Sequence, residues 1–409
     1  MKEIVSAKAR PLDCPPKFEF NHMSSLVLWN LTELQGFFTG NHSLACPSLK
    51  QLDVRGCFKW ELFMKQGTGH EGRVLHSNLQ VSMQKSPFPL EEVIRNLEML
   101  ALNYEDASMI LQGQFSWENF SKLISLNLTH FEDEKATFPY WFVENITTLQ
   151  TLLVEHSSFK EMFQHDRQNE IQTRIKELTL NQLHELQHIC KEGFPMDPIL
   201  EILDFLCVDG CSKLKHLVPS SVTFSHLTYL VVQNCGGLVH FFTSSTARSL
   251  ARLTTMKIRN CYSLEKVVAE EREELEDEIN FSSLEILELQ FLPMLKMFCS
   301  SICVLNLPLL KEVVVKQCRR MNIFSVTTTI TPKLRQILSK EEDENIYWEG
   351  DLNRTVKKMF LDMVAFRSFT YLWLSEYPEL RELWYSHVKQ EVFGNLQTMH
   401  AEVRVLLYF

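Results

Sequence analysis

One spacing of apolar residues recurs along nearly all of the 409-residue chain, and it restricts the possible folds more than any other feature. The spacing is Leu-x-x-Leu-x-Leu-x-x-(Cys/Leu)-x-x-Leu. Clear copies use Leu203, Leu206, Val208, Cys211 and Leu214, then Leu227, Leu230, Val232, Cys235 and Leu238, then Leu253, Met256, Ile258, Cys261 and Leu264. Counted from the first apolar residue, copies begin at 23, 49, 97, 123, 149, 175, 203, 227, 253, 284, 310, 334, 369 and 396. Six of the thirteen intervals are 26 residues, so one repeated structural unit sets the register. The intervals of 48 and 35 hold insertions or decayed copies, and the copy at Leu334 keeps only its first two anchors.

A period of about 20 to 29 residues with this spacing is the signature of leucine-rich repeats. The Leu-x-Leu centre alternates with period two, so it predicts a short strand with two side chains in the core. One unit cannot bury its apolar face alone, whereas stacked neighbours bury it continuously. The expected fold class is α/β: a leucine-rich repeat solenoid in the form of a curved right-handed horseshoe. Parallel strands form its concave face, with irregular loops and short helices on the convex side. Thirteen or so strands ~4.8 Å apart make a wall on the order of 60 Å long. The expected organisation is an N-terminal flank over 1–20, the repeat array over 21–333, an irregular insert or hinge over 334–365, and C-terminal repeats over 366–409. The end, LQTMHAEVRVLLYF, falls inside a copy without a polar capping unit, and so predicts a fragment, a truncated gene product or an incomplete gene model.

Eleven cysteines cannot all be paired in disulfides. Cys57, Cys211, Cys235, Cys261 and Cys318 all occupy the slot that follows the strand. Elsewhere that slot holds Leu31, Phe131, Leu183, Leu292 and Tyr377, so it is a core position and not a metal ligand. A small apolar side chain with a weak donor suits a crowded, half-polar turn.

The net charge of −10, from 41 basic and 51 acidic residues, disfavours a general nucleic-acid binder, which needs a clustered basic surface. No apolar run approaches the ~20 residues that span a bilayer. The start, MKEIVSAKARPLDCPP, lacks the apolar core of a secretion signal, so a soluble cytoplasmic protein is expected. Seven Asn-x-Ser/Thr sequons, at Asn30, Asn41, Asn119, Asn127, Asn145, Asn280 and Asn353, are then read as chance occurrences.

HELQH, residues 184–188, satisfies the H-E-x-x-H zinc pattern, which requires both histidines on one helix. The repeat register contradicts that reading. Leu183 and Leu186 are core positions, and His184 falls where other copies carry Pro293 and Pro378. Cys207-x-x-x-Cys211 and Cys299-x-x-x-Cys303 have no second pair at zinc-finger spacing, and no nucleophile elbow occurs. No catalytic, metal-binding or cofactor-binding residues are assigned, and no cofactor is expected. The acidic runs at 270–278 and 341–344 lie in stretched intervals and read as solvated loops.

Alternation places Trp29, Phe205, Tyr229, Val231, Ile286, Val314, Tyr371 and Trp373 on the solvent side of the strands. Lys257, Arg259 and Lys316 join them, with Glu155, Glu177 and Asp209 further along. Aromatic residues mixed with arginine are the composition of binding hot spots, so these residues form the candidate concave protein-binding face. The bland reading of the same residues is aromatic packing between neighbouring strands.

The stretch LTYLVVQNCGGLVHFFTSSTARSLARLTTMKIRNCYSLEKVV, the acidic insert followed by INFSSLEILEL, and YWEGDLNRTV carry a resemblance. The chain resembles the repeat region of plant coiled-coil-type nucleotide-binding leucine-rich-repeat disease resistance proteins. The resemblance implies a non-enzymatic sensor and autoregulatory region acting in defence. Its implied partners are a pathogen-derived or guarded host protein and the nucleotide-binding module of the same receptor class, with no nucleic acid and no membrane. The chain contains no phosphate loop of the form G-x-x-x-x-G-K-[S/T], so ATP binding is not carried over. Two other functions compete with this one. A ubiquitin-ligase substrate adapter would need an F-box helix trio, for which the first twenty residues are too short and proline-rich. A secreted receptor ectodomain of the plant type would carry a Gly-x-Ile-Pro pattern after each strand, and none is found. An enzyme would rest on HELQH alone.

Overall fold

The computed structural model describes residues 2–5, 16–37, 42–60, 93–111, 116–133, 137–163, 174–190, 198–270, 278–339, 346–364, 371–375 and 398–402. It is a parallel-strand solenoid of about ten turns with little helix. Every predicted copy start is followed by a strand. In chain order these are β1 (Ser25–Trp29), β2 (Gln51–Arg55), β3 (Met99–Asn103), β4 (Ser125–Thr129), β5 (Thr151–Glu155) and β6 (Glu177–Asn181). They continue as β7 (Phe205–Asp209), β8 (Tyr229–Gln233), β9 (Thr255–Arg259), β10 (Ile286–Gln290), β11 (Glu312–Lys316) and β12 (Ile337–Leu338). These twelve, with the antiparallel β13 (Ile346–Tyr347), form one thirteen-stranded sheet in sequence order.

The register follows the template without slippage from β3 to β11, so equivalent residues of successive copies lie side by side. The two leucine positions of each copy point inward: Leu206, Val208, Leu230, Val232, Met256 and Ile258 are fully buried. The degenerate copy at Leu334 keeps the same register, because Ile337 pairs with Val313 and both are fully buried.

A turn that the template does not spell out ends ten of the twelve parallel strands, all but β3 and β12. The next residue has a left-handed backbone at Asn30, Gly56, His130, His156, Gln182, Gly210, Asn234, Asn260, Phe291 and Gln317, with φ between +48° and +70°. At Asn30, His156, Gln182, Gly210, Asn234, Asn260 and Phe291 the N–H bonds to the carbonyl of the next copy's last strand residue, as from Gln182 to Asp209 (2.7 Å) and from Phe291 to Lys316 (2.8 Å). The turn therefore adds one rung to the ladder while it aims the chain into the core. Asparagine and glycine tolerate this conformation, and Phe291 bears its full steric cost. At Gly210 a Cβ would also come within 2.5 Å of the Gln182 amide.

The cysteine slot follows directly. The thiols of Cys57, Cys211, Cys235, Cys261 and Cys318 each donate to the carbonyl two residues earlier, at 3.2 to 3.7 Å. Those of Cys57, Cys235 and Cys318 also reach a strand carbonyl of the preceding copy, at 3.5 to 3.8 Å. Ser157 fills the same slot and donates to the carbonyl of Glu155 at 2.9 Å. The described cysteines are all free thiols.

The opposite side of the solenoid carries the expected loops and short helices, and extended pieces besides. Most of it is extended backbone in small parallel sheets. One joins His240–Thr243, Lys266–Ala269 and Met297–Cys299, and another joins Glu278–Asn280, Val304–Asn306 and Thr329–Ile330. Helices there are single turns such as Ser244–Arg248. A buried series of phenylalanines lines this side, with Phe298 and Phe324 stacked at 4.8 Å and 9°.

After β12 the pattern changes. Tyr347 pairs antiparallel with Ile337, and helix α1 (Leu352–Val364) follows. Leu352 and Val356 are buried, and Trp348 and Met359 pack on the same core. Asp351 caps α1 by accepting from the Arg354 N–H (2.8 Å). Asn353 spends its whole side-chain amide on the preceding copy. Its Oδ1 accepts from the N–H groups of Phe324 (3.0 Å) and Ser325 (2.8 Å), and its Nδ2 donates to the Thr327 carbonyl (3.0 Å). YWEGDLNRTV is thus a segment that covers the end of the long sheet's core. The last two strands, β14 (Tyr371–Ser375) and β15 (Thr398–Glu402), pair with each other in parallel in a separate two-stranded sheet.

Candidate protein-binding surface

The predicted surface residues occupy positions one, three and five of their strands, and in the long sheet these positions alternate with the inward second and fourth ones. Phe205 on β7 and Tyr229 on β8 are paired neighbours, and their rings stack at 5.5 Å and 15°. The Lys257 ammonium on β9 lies 5.8 Å from the centre of the Tyr229 ring. Cross-strand aromatic packing is therefore realised, and it fixes the shape of the surface. Such stacked pairs contribute about 0.5–1.5 kcal/mol beyond their buried area. Val231 and Ile286 are half-buried beside them, Val314 is buried, and Lys316 is half-buried at the end of β11.

Arg259 is held by Glu288 of the next strand, which accepts from its Nε (2.8 Å) and Nη2 (2.6 Å). Lys257 stands 3.9 Å from the other Glu288 oxygen, and the Gln290 amide donates to the same carboxylate. The centre of the sheet is thus a fixed arrangement: an aromatic pair, aliphatic neighbours, and cations clamped by one carboxylate. Among the described residues no helix is long and apolar enough to cross a membrane.

The family model for plant disease resistance protein RPS2-like leucine-rich repeats matches residues 94–225 and 221–339. The chain belongs to this family. No curated protein and no solved structure matches it. The match spans β3 to β12, so the RPS2-like repeat region includes the whole central surface.

In this RPS2-like repeat region the eleven predicted residues do not form one site. Phe205, Tyr229, Val231, Lys257, Arg259, Ile286, Val314 and Lys316 lie on five consecutive strands, β7 to β11. Trp29 stands apart on β1, six strands from β7 in the sheet order. It is 56% exposed, and the Arg55 guanidinium stacks 4.4 Å from its ring centre. Tyr371 and Trp373 lie on β14, outside the long sheet and opposite Thr398 and His400 of β15, and their side chains lie outside the described residues.

Sequence reasoning missed two groups. Glu288 sits at the middle position of β10, and only writing the copies in register puts it beside Lys257. The second group surrounds Arg55, which donates two bonds to Asp53 (2.7 and 2.8 Å) and one to Glu155 (2.9 Å). Burial opposes the Arg55 charge, but those bonds outweigh it and raise its pKa. Arg55 on β2 can reach Glu155 on β5 because β2 and β3 pair over only two residues, Gln51 with Met99 and Leu52 with Leu100. Asn127 joins by donating to Glu155 (3.3 Å), and it is buried, as a glycan acceptor could not be.

HELQH forms no zinc helix. Leu183 and Leu186 are fully buried core positions, Glu185 pairs with Lys213 at 2.6 Å, and His188 begins the strand His188–Cys190. Among the described residues no group of three or more metal-ligating side chains occurs. Most of the acidic run at 270–278 and all of the run at 341–344 lie outside the described residues.

Proposed function

We propose that this repeat region is a protein-recognition surface acting in plant defence in the cytoplasm, and that it works by binding and not by catalysis. The observation that carries the reading is the Phe205–Tyr229 stack with Lys257 beside it, on positions that the fold leaves free to be polar. Strand positions facing solvent need no aromatic residue for the core. An aromatic, aliphatic and cationic group on rigid strands, in contrast, is what a binding hot spot requires. Family membership supports the same reading. The partner is a protein, pathogen-derived or a guarded host component, with the nucleotide-binding module of the receptor class as a further partner.

The test is the double variant Tyr229→Ala, Arg259→Ala, assayed for the defence response in leaf tissue and for folding by circular dichroism. Removing two central side chains should weaken partner binding by on the order of 2 kcal/mol, about thirtyfold, with the fold intact. A folded double variant that signals like the parent overturns the reading.

A further inference from the structure

Unbroken register from β6 to β11 turns the outward positions into rows that run across the strands. The rows differ in chemistry. From β7 to β11 the first-position row carries Phe205, Tyr229, Thr255, Ile286 and Glu312, and the middle row carries Cys207, Val231, Lys257, Glu288 and Val314. The apolar side chains thus cluster on β7, β8 and β10 around the Lys257–Glu288 contact. The fifth-position row is polar throughout this stretch and carries Asp209, Arg259 and Lys316. First and fifth positions are about 13 Å apart along a strand, at ~3.3 Å per residue.

The polar row also changes sign along its length. Asp209 accepts from Gln233 (2.8 Å) and Asn234 (2.7 Å), neutral amides that leave its charge in place. Arg259 is offset by Glu288. Lys316 has no carboxylate partner among the described residues. A negative end at β7 therefore faces a positive end at β11, four strand spacings or about 19 Å away.

Building on the recognition reading above, we infer that this surface takes one amphipathic helix of a partner protein, lying across the strands in a single direction. An α-helix is about 10–12 Å wide, which matches the strip from the apolar cluster of Phe205, Tyr229 and Ile286 to the polar row, whereas an extended segment would cover one row only. At 1.5 Å per residue the 19 Å span needs about thirteen residues, between three and four turns. The helix rests its apolar face on Phe205, Tyr229 and Ile286 and turns its charged flank to the fifth-position row. A basic residue meets Asp209 and an acidic residue meets Lys316. The helix dipole adds to this orientation, because its positive N-terminus favours the Asp209 end. The ligand is then basic near its N-terminus and acidic near its C-terminus. Isolated helices prefer the reverse, so a free-helix bias in a peptide pool would not produce this pattern.

The test uses a displayed library of random sixteen-residue peptides (about four helical turns), selected against the full chain. Selected peptides should show apolar residues at i, i+3, i+4 and i+7, with Lys or Arg near the N-terminus and Asp or Glu near the C-terminus. Tyr229→Ala should weaken them at least tenfold. The charge exchange Asp209→Lys, Lys316→Glu should select the opposite polarity. Lys316→Glu alone has no ion pair to lose and should weaken the original peptides severalfold. Binders that depend on Tyr229 but show no polarity, or ignore the charge exchange, overturn this inference and leave the recognition reading standing. Binders indifferent to Tyr229→Ala defeat both. A library that yields no binder also overturns the inference.

Discussion

At the turns whose slot holds a cysteine or Ser157, two neighbouring residues divide the work of reversing the chain. The first takes the left-handed backbone, and the second donates to the carbonyl left two residues behind. Phe291 shows that the first task does not depend on residue type, only on its cost: it holds φ +55° and remains 37% exposed. Phe291→Asn should therefore stabilise the protein by about 1 kcal/mol, because asparagine tolerates this backbone. Urea unfolding would check it, and a loss of stability would mean that the ring packs better than its exposure indicates. The slot makes a prediction in pH. Burial pushes the Cys318 thiol up to about 12 from an ordinary value near 9. Above pH 9 the unfolded chain loses that proton while the folded chain keeps it, so stability falls as pH rises towards 12. The slope is about 1.4 kcal/mol per pH unit for this thiol. Melting temperatures between about pH 8 and about pH 10.5 should fall less steeply in Cys318→Ser, which retains a donor as Ser157 does. Equal slopes would remove Cys318 from the account.

Among the elements, strands were easier to foresee than the parts that join and end them. Each copy start predicted a strand because two alternating buried residues leave a period-two signal. The opposite side left none: its extended pieces are two to four residues long, and their pairing depends on the neighbouring copy. The end of the long sheet was equally hidden. YWEGDLNRTV carried the family resemblance, but its role depends on three hydrogen bonds between Asn353 and a copy nearly thirty residues earlier. Asn353→Ala would strand two backbone donors and one acceptor at the edge of the core. A loss of about 2–3 kcal/mol is expected, since each group left unsatisfied costs about 1–3 kcal/mol where it is buried. Guanidinium unfolding tests this, and a loss below about 0.5 kcal/mol would show that water replaces those bonds.

For the whole molecule, the fold was legible because stacking repeats one buried pattern, and the pattern survives even in the decayed copy at Leu334. The surface was legible only in part. Alternation identified which side chains face outward, but it could not show what each one touches. Arg259 reads as a free cation until Glu288, 29 residues later, is placed beside it. Trp29 reads as part of the same face until the strand order separates it from Phe205 by five intervening strands. Surface chemistry depends on contacts between copies, whereas the core depends on composition within each copy. The central claim is that partners land on β7 to β11 of the long sheet. Hydroxyl-radical footprinting of the full chain, with the tightest library-selected peptide bound, tests it most directly. Protection of Phe205, Tyr229 and Ile286, with Ile302 (83% exposed, in the loop before the Val304–Asn306 strand) unchanged, is the predicted result. Protection of Ile302 and Val326, with Tyr229 still oxidised at its free rate, would contradict it and move recognition to the opposite side of the solenoid.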